Sequence, residues 1–173
     1  MSSADSTLGH DVNAVSRLEG EFKLRSGQIS HVYFDKYRFE ARPELLKRVA
    51  AAMVSLLPEG TEILAGLELG GVPIATAMSL QSGIQAAFVR KKAKDYGTCL
   101  AIEGADVKGR KVVIVEDVIT TGGQVALSAA DLKAAGAELV AVICAIYRGE
   151  GEPHVKGLEG VPVHAALTRD QLV

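Results

Sequence analysis

The sequence predicts an α/β protein in which a central, mostly parallel sheet is flanked by helices. Short runs of apolar and β-branched residues recur along the chain, and amphipathic or alanine-rich runs of helical length separate them. Parallel strands need such crossover helices, because each new strand begins at the same end of the sheet. With 173 residues, of which 48% are hydrophobic, the chain can bury the core of one domain.

The predicted elements follow one another in order. Residues 21–36 are expected to form a small antiparallel hairpin or lid, with Ser26 and Gly27 near its turn. Pro43 begins the first clear helix, because proline lacks the N–H that would have no partner in a first turn, and Pro58 follows its end. Further strands are expected at residues 63–67, 86–89, 111–115, 139–146 and 161–165, and further helices at 72–81 and 124–135.

Residues 91–106 are expected to form a long loop, since they are polar and show little apolar periodicity. Four cations and a carboxylate stand close together around its start: Arg90, Lys91, Lys92, Lys94 and Asp95. By itself, such a run indicates a solvated face or a weak anion patch.

Composition argues against several classes of protein. A net charge of −2 does not suit a nucleic-acid-binding or membrane-surface protein, and no apolar run approaches the ~20 residues of a membrane span. Cys144 lies in an apolar strand pattern and is expected to be a buried thiol, whereas Cys99 is expected to be reduced in a polar loop. The four histidines and two cysteines lack zinc-ligand spacing. We expect a cytoplasmic protein.

Residues 112–123, with the sequence VVIVEDVITTGG, carry the strongest functional pattern. The apolar half indicates a buried strand, and a loop is expected to follow it at the carboxyl edge of the sheet, where open α/β folds bind ligands. Glu116 and Asp117 can accept hydrogen bonds from sugar hydroxyls or face a metal. Two acids after a buried strand are costly there unless they bind something.

The second half of this segment suits a phosphate. Thr120 and Thr121, with the amides of Gly122 and Gly123, can hold an anion at the start of the next helix, although helix capping alone also favours such residues. Both halves together suit a sugar phosphate. The spacing matches neither a Walker A motif nor Gly-x-Gly-x-x-Gly, which disfavours a nucleoside triphosphatase or a dinucleotide-dependent oxidoreductase.

Residues 112–124 resemble the phosphoribosyl-diphosphate signature of the type I phosphoribosyltransferases. Three further segments are similar to the orotate phosphoribosyltransferases, in that family's order: FKLRSG at 22–27, ELGGVP at 68–73 and RKKAKDYG at 90–97. The resemblance covers residues from about 22 to 172. It implies a type I phosphoribosyltransferase fold in a single domain (1–173), with a long flexible loop and a small hood formed by about residues 1–40 and the C-terminal segment.

The resemblance also implies an activity and its residues. The chain would transfer ribose 5-phosphate from phosphoribosyl diphosphate to orotate in pyrimidine biosynthesis, with catalytic roles for Lys94, Asp95 and Asp117. The donor would be bound by Gly70, Gly71, Arg90, Lys91, Lys94, Tyr96, Glu116, Asp117, Val118, Ile119, Thr120, Thr121, Gly122, Gly123 and Gln124. Orotate would be bound by Arg25, Tyr33, Phe34, Thr120 and Arg148.

A guanidinium such as that of Arg148 suits a carboxylate, although a surface pair with Glu150 or Glu152 is an equal alternative. The resemblance further implies Mg²⁺ held mainly by the donor, with Asp117 as the protein ligand, and a homodimer that shares its active sites. The sequence departs from the family pattern at Arg25, where lysine is usual. Lys92 stands where an acid is common, and Tyr96 where histidine is common.

Two alternatives stay open at the level of sequence. One is a phosphoribosyltransferase for another nucleobase, such as a purine. The other is a non-catalytic regulator that senses phosphoribosyl diphosphate and binds RNA or DNA, which the net charge and length disfavour.

Overall fold

The structure, a computed structural model, describes residues 7–23, 27–92 and 101–172. Its helices are α1 Leu8–Ser16, α2 Tyr37–Glu40, α3 Pro43–Val54, α4 Gly71–Ser82 and α5 Gly123–Ala134. Its strands are β1 Arg17–Lys23, β2 Ile29–Phe34, β3 Ile63–Leu67, β4 Gln85–Val89, β5 Ile102–Gly104, β6 Lys111–Ile119, β7 Glu138–Tyr147 and β8 Val163–Thr168. A 3₁₀ turn at Arg169–Gln171 follows β8.

The central sheet has the strand order β5-β4-β3-β6-β7-β8. All neighbouring pairs are parallel except β4 and β5, which are antiparallel. Strand β3 is buried throughout and β6 is buried from Val112 to Asp117, because helices cover both faces of the sheet there. The predicted parallel sheet flanked by helices is therefore confirmed.

Apolar residues form two clusters. One contains buried residues of α1, α3 and α4, among them Val12, Val49 and Met78, together with alternate residues of the sheet. The other contains buried residues of α5, including Leu132, and the remaining alternate residues of the sheet, including Ile114. The division follows from the twofold alternation of side chains along a strand.

The predicted N-terminal hairpin is present as β1 and β2, which pair antiparallel with Arg17 opposite Phe34. Two short helices, α1 and α2, flank it and were not expected from the sequence. The C-terminal turn contacts α1, since a β-carbon on Gly9 would overlap the carbonyl of Gln171. This contact accords with a hood built from both ends of the chain, which stays a prediction.

Strand β6 is longer than the sequence predicted. The expectation that a loop begins at Glu116 is wrong, because β7 continues beside β6 and supplies a hydrogen-bonding partner as far as Ile119, which lies opposite Tyr147. The two acids are therefore part of the sheet, and the turn begins only at Thr120.

Two smaller expectations also need correction. The predicted loop at residues 91–106 contains β5, whose three residues pair with the exposed edge of β4 but are too few to show a periodic pattern. Strand β8 begins at Val163 rather than at Val161. The predicted buried thiol at Cys144 is confirmed, and Cys99 lies outside the described residues. Among the helices that the structure describes, none has the length and apolar character needed to cross a membrane.

Candidate active site at the carboxyl edge of the sheet

The acid pair lies where β6 extends past the end of its neighbour β3. Strand β3 ends at Leu67, whereas β6 continues beside β7. Glu116 is 9% exposed and Asp117 is 1% exposed, so both carboxyls are almost out of contact with water. Glu116 Oε1 accepts a hydrogen bond from Asp117 N at 2.9 Å, and Asp117 Oδ1 accepts one from Val118 N at 2.5 Å.

Asp117 is the point where three chain segments meet. Lys36 Nζ, from the start of α2, lies 2.6 Å from Asp117 Oδ2, an ion pair that lacks the geometry of a regular hydrogen bond. On another side is Gly70, where an added β-carbon would overlap the Asp117 carboxylate. Glycine at this position is therefore required by the close approach of backbone and carboxylate rather than by an unusual φ, which is −67°.

A third acid, Glu40, belongs to the same group and was missed at the level of sequence. It is 7% exposed, and neither of its carboxyl oxygens has a hydrogen-bond partner among the described residues. Burial and then the charge of Asp117 raise the pKa of Glu40 to about 8. The same two causes, in the same order, raise the pKa of Glu116 to about 8.

Lys36 was also missed, although one signal was available. Lys36 and Glu40 stand four residues apart, which places them on one side of a single helical turn. Burial lowers the pKa of Lys36, but the close ion pair with Asp117 outweighs that effect and leaves the pKa raised. The ammonium is therefore firmly charged beside the acids.

The turn at the end of β6 forms a small cleft of about 220 Å³. The side chains and backbone of Glu116, Val118, Ile119, Thr120, Thr121, Gly122, Gly123, Gln124 and Val125 line it. Gly122 has a φ of +73°, which favours glycine, and a β-carbon there would press against Val155. Gly123 begins α5, so the exposed hydroxyls of the turn and the first amides of the helix face the same cleft.

The loop after β3 lies beside the acid pair and is tied to the basic segment. It runs through a cis peptide bond between Glu68 and Leu69 to Gly70 and Gly71. Glu68 Oε2 accepts a hydrogen bond from Lys91 N at 2.8 Å. This carboxylate was not among the predicted site residues, yet it joins the glycine loop to the predicted cationic segment.

Arg90 and Lys91 mark the start of the cationic segment. The backbone N–H of Arg90 donates to Ala101 O at 2.8 Å, and the side chain of Arg90 is half-buried. Lys91 and Lys92 are exposed. The predicted roles of Lys94, Asp95, Tyr96 and Arg25 fall outside the described residues and stay predictions.

Arg148 follows β7 directly and lies against the N-terminal hairpin. Its guanidinium carbon is 5.4 Å from the centre of the Phe34 ring, and its N–H donates to Ile119 O at 2.8 Å. Within the described parts of the chain, it forms no ion pair with Glu150 or Glu152. The guanidinium is exposed and supported from below by an aromatic ring.

The other predicted aromatic residue, Tyr33, is 45% exposed and packs on Phe22 at 5.5 Å between ring centres. Neighbouring residues of a strand point to opposite faces, which explains why Phe34 contacts Arg148 and Tyr33 does not share that contact.

A further contact that the sequence did not reveal fixes the loop that follows Arg148. The hydroxyl of Tyr147, which is 2% exposed, lies 3.1 Å from His154 Nδ1. A β-carbon on Gly149 would overlap that hydroxyl, so the loop passes closely over it. The same loop brings Val155 against Gly122 and thus packs against the turn between β6 and α5.

The acid pair suits a magnesium ion only in part. The described residues contain no group of three or more His, Cys, Asp or Glu side chains that could hold a metal ion. One oxygen of Asp117 already faces Lys36, and Glu116 lines the cleft. These carboxylates fit a magnesium ion that takes most of its ligands from a phosphorylated substrate and water, as Mg²⁺ commonly does.

Comparison with known proteins gives a consistent picture. The model of the phosphoribosyl transferase domain matches residues 38–160. An orotate phosphoribosyltransferase from Nocardioides sp. is 56% identical over 168 residues, which cover 97% of this chain and 94% of that protein. An orotate phosphoribosyltransferase from Halobacterium salinarum is 43% identical, over 89% of this chain and 87% of that protein.

Solved structures agree. The crystal structure of Mycobacterium tuberculosis orotate phosphoribosyltransferase in complex with Fe(III) dicitrate superposes with a TM-score of 0.85 at 28% identity, covering 98% of this chain and 99% of that one. The same enzyme in complex with phosphoribosyl diphosphate gives a TM-score of 0.82 at 27% identity, with the same coverage. Sequence motifs, fold and relatives thus lead to one conclusion: this chain belongs to the phosphoribosyl transferase family and, within it, to the orotate phosphoribosyltransferases.

Proposed function

We propose that the protein transfers ribose 5-phosphate from phosphoribosyl diphosphate to orotate and releases orotidine 5-phosphate and pyrophosphate. The observation that carries the proposal is the convergence of three groups at one edge of the sheet. These are the buried acids of β6, the hydroxyl and glycine turn after it, and an exposed guanidinium supported by Phe34. A donor with hydroxyls and phosphates and an acceptor with a carboxylate need these three groups.

The donor would lie across the end of β6. Thr120, Thr121 and the first amides of α5 would hold its 5-phosphate, since a helix N-terminus and hydroxyls favour an anion. Glu116 and Asp117 would accept hydrogen bonds from the ribose hydroxyls. The pyrophosphate would lie against the Gly70 loop, whose backbone can approach closely, and near the cationic segment that begins at Arg90.

The acceptor would lie between the hairpin and Arg148. A guanidinium can bind the orotate carboxylate through two parallel hydrogen bonds, and the Phe34 ring below it restricts its motion. An uncharged base without a carboxylate would leave this guanidinium without an ionic partner, so the site favours orotate over uracil.

The chemistry is a displacement at the anomeric carbon. The ring nitrogen of deprotonated orotate supplies the electron pair of the new nitrogen–carbon bond, and pyrophosphate leaves with the electrons of the broken carbon–oxygen bond. No strong general base is needed, so the protein contributes mainly positioning and electrostatic stabilisation. Exclusion of water by a loop over the site would protect the cation-like ribosyl group from hydrolysis.

Magnesium, dimerisation and location complete the proposal. Mg²⁺ would be held chiefly by the donor, with Asp117 as the contributing carboxylate, and would neutralise charge on the leaving pyrophosphate. The protein would act as a homodimer that shares active sites across its interface, in the cytoplasm, as part of UMP synthesis. Exposed apolar side chains on the hairpin and the glycine loop, among them Val32 and Leu69, are consistent with an interface there.

The deciding experiment measures transfer to a panel of bases in the presence of phosphoribosyl diphosphate and Mg²⁺. We expect loss of orotate and formation of orotidine 5-phosphate, with little or no transfer to uracil, which differs by the missing carboxylate. Transfer to adenine or hypoxanthine without transfer to orotate would favour a purine phosphoribosyltransferase instead. Donor binding without transfer to any base would favour the regulator.

A further inference from the structure

Lys36 and Glu40 place unusual charges beside the donor site. Three carboxyls, those of Glu40, Glu116 and Asp117, lie close enough to influence one another, and all three are at least nine-tenths buried. Burying so many acids together is unfavourable unless a cation accompanies them. The structure supplies that cation as Lys36, at 2.6 Å from Asp117.

Lys36 is well placed to fix the direction of the Asp117 carboxylate. The Val118 amide holds Oδ1, the ammonium faces Oδ2, and the Gly70 backbone blocks movement to another side. An ion pair at this distance, with one partner 1% exposed, is screened little by water or salt. Loss of the ammonium would leave the buried Asp117 carboxylate without this cationic partner.

Lys36 also links the two halves of the proposed site. It lies two residues beyond Phe34, the aromatic support of Arg148, and its side chain crosses to the acid pair of the sheet. The intervening residue, Asp35, is fixed by its N–H, which donates to Ser16 O at 2.8 Å. The side chain of Lys36 is 35% exposed, so solvent reaches it although the carboxylate that it contacts is buried.

We propose that Lys36 is a positioning residue for the donor. Its ammonium holds the Asp117 carboxylate in the orientation that accepts the ribose hydroxyls. This inference rests on the proposed function for the identity of the donor. It assigns no contact between Lys36 and the substrate.

The test compares four proteins with the wild type: Lys36→Met, Lys36→Arg, the double variant Lys36→Met with Glu40→Gln, and Lys47→Met as a matched control. Lys47 is an exposed lysine on α3, remote from the acids in the sheet. The primary measurement is calorimetric binding of phosphoribosyl diphosphate with Mg²⁺, supported by the KM values of both substrates and by kcat.

We expect Lys36→Met to weaken donor binding by about tenfold or more, as for the loss of a charged partner. The KM of orotate should change less than twofold in the same variant. Lys36→Arg should restore most of the donor affinity because it returns the charge. The double variant should bind the donor no better than Lys36→Met, because Glu40, with its pKa raised to about 8, carries little charge near neutral pH. Lys47→Met should bind like the wild type.

Unchanged donor affinity in Lys36→Met would overturn the inference, as would equal loss for both substrates or failure of arginine to rescue. If circular dichroism shows Lys36→Met to be unfolded, Lys36→Arg and Lys36→Gln are compared instead, and equal donor affinities would overturn it. Donor binding that depends on Lys36 without any transfer to orotate would refute the proposed function while leaving the inference intact.

Discussion

At the scale of single residues, Arg148 shows how the fold positions a side chain at the surface. An exposed arginine after a strand is ordinary, and its sequence context offered Glu150 and Glu152 as partners. The fold instead lays its guanidinium over Phe34 and leaves its donors unpaired within the described chain. A pre-positioned guanidinium loses less side-chain freedom when a carboxylate binds.

We predict that Arg148→Ala raises the KM of orotate by about 10- to 100-fold, the range for loss of a hydrogen bond to a charged group. The KM of phosphoribosyl diphosphate should stay within about twofold, because the donor is proposed to lie across the end of β6 and not against Arg148. Steady-state kinetics with each substrate varied in turn measure both. Arg110→Ala is the control, since Arg110 pairs with Glu62 near the opposite end of β6. Similar losses for both substrates would contradict the assignment.

At the scale of elements, the connection from β6 to α5 depends on a second loop. Gly122 adopts a left-handed φ and leaves no room for a β-carbon, because Val155 from the loop after β7 fills that space. The turn thus has two separate requirements, one conformational and one steric.

We predict that Gly122→Ala lowers stability by about 1–3 kcal/mol, the cost of a non-glycine residue in this region, and also weakens donor binding. In a Val155→Ala background the same change should cost less, because the steric part is relieved while the conformational part persists. The wild type, the two single variants and the double variant form a double-mutant cycle. Thermal unfolding measures the stability of each protein, and calorimetry measures its affinity for the donor. Strict additivity would show that Val155 does not support the turn.

Another contact between elements depends on pH. Arg48 of α3 donates to Asp11 of α1 at 2.8 Å, and this hydrogen bond, followed by one from His10, lowers the pKa of Asp11 below 3.8. A carboxyl with a lowered folded pKa stabilises the fold above its unfolded pKa, and this contribution is lost as pH falls through the folded pKa.

We therefore predict that Asp11→Asn lowers the melting temperature at pH 7, and that the difference from wild type shrinks as pH falls below about 4. Differential scanning calorimetry from pH 7 to pH 3 measures this difference in melting temperature. Glu44→Gln, an exposed acid at the start of α3, is the matched control. A difference that stays constant over this range would exclude the ion pair as its cause.

At the scale of the whole molecule, the sequence predicted what is encoded locally and missed what distant segments bring together. Each strand of the sheet, each helix from α3 onward and the motif from Glu116 to Gly123 is formed by residues that are consecutive in the sequence. Periodicity and spacing therefore revealed them. Lys36, Glu40 and Glu68 become part of the candidate site only because the fold brings α2 and the loop after β3 to the end of β6. A four-residue helix carries too few positions for a periodic signal.

The proposed sharing of active sites predicts complementation between inactive variants. Lys94→Ala and Asp117→Ala should each be almost inactive alone. Co-refolded in equal amounts they should regain about a quarter of wild-type activity, since half the dimers are hybrids with one intact site, as expected for an isologous interface. Activity of the mixture is compared with that of each variant co-refolded with itself. No recovery, in hybrids verified by native mass spectrometry, would place each site within one subunit.

The continued pairing of β6 with β7 restricts how this protein can be redesigned. Because consecutive strand residues face opposite sides, inserting or deleting one residue between Val115 and Asp117 would turn Asp117 away from Lys36 and Gly70. If the acceptor binds as proposed, changes in acceptor preference belong in the β1–β2 hairpin around Phe34, where side chains can be exchanged without altering this register. The number of residues in β6 is as much a determinant of the site as their identity.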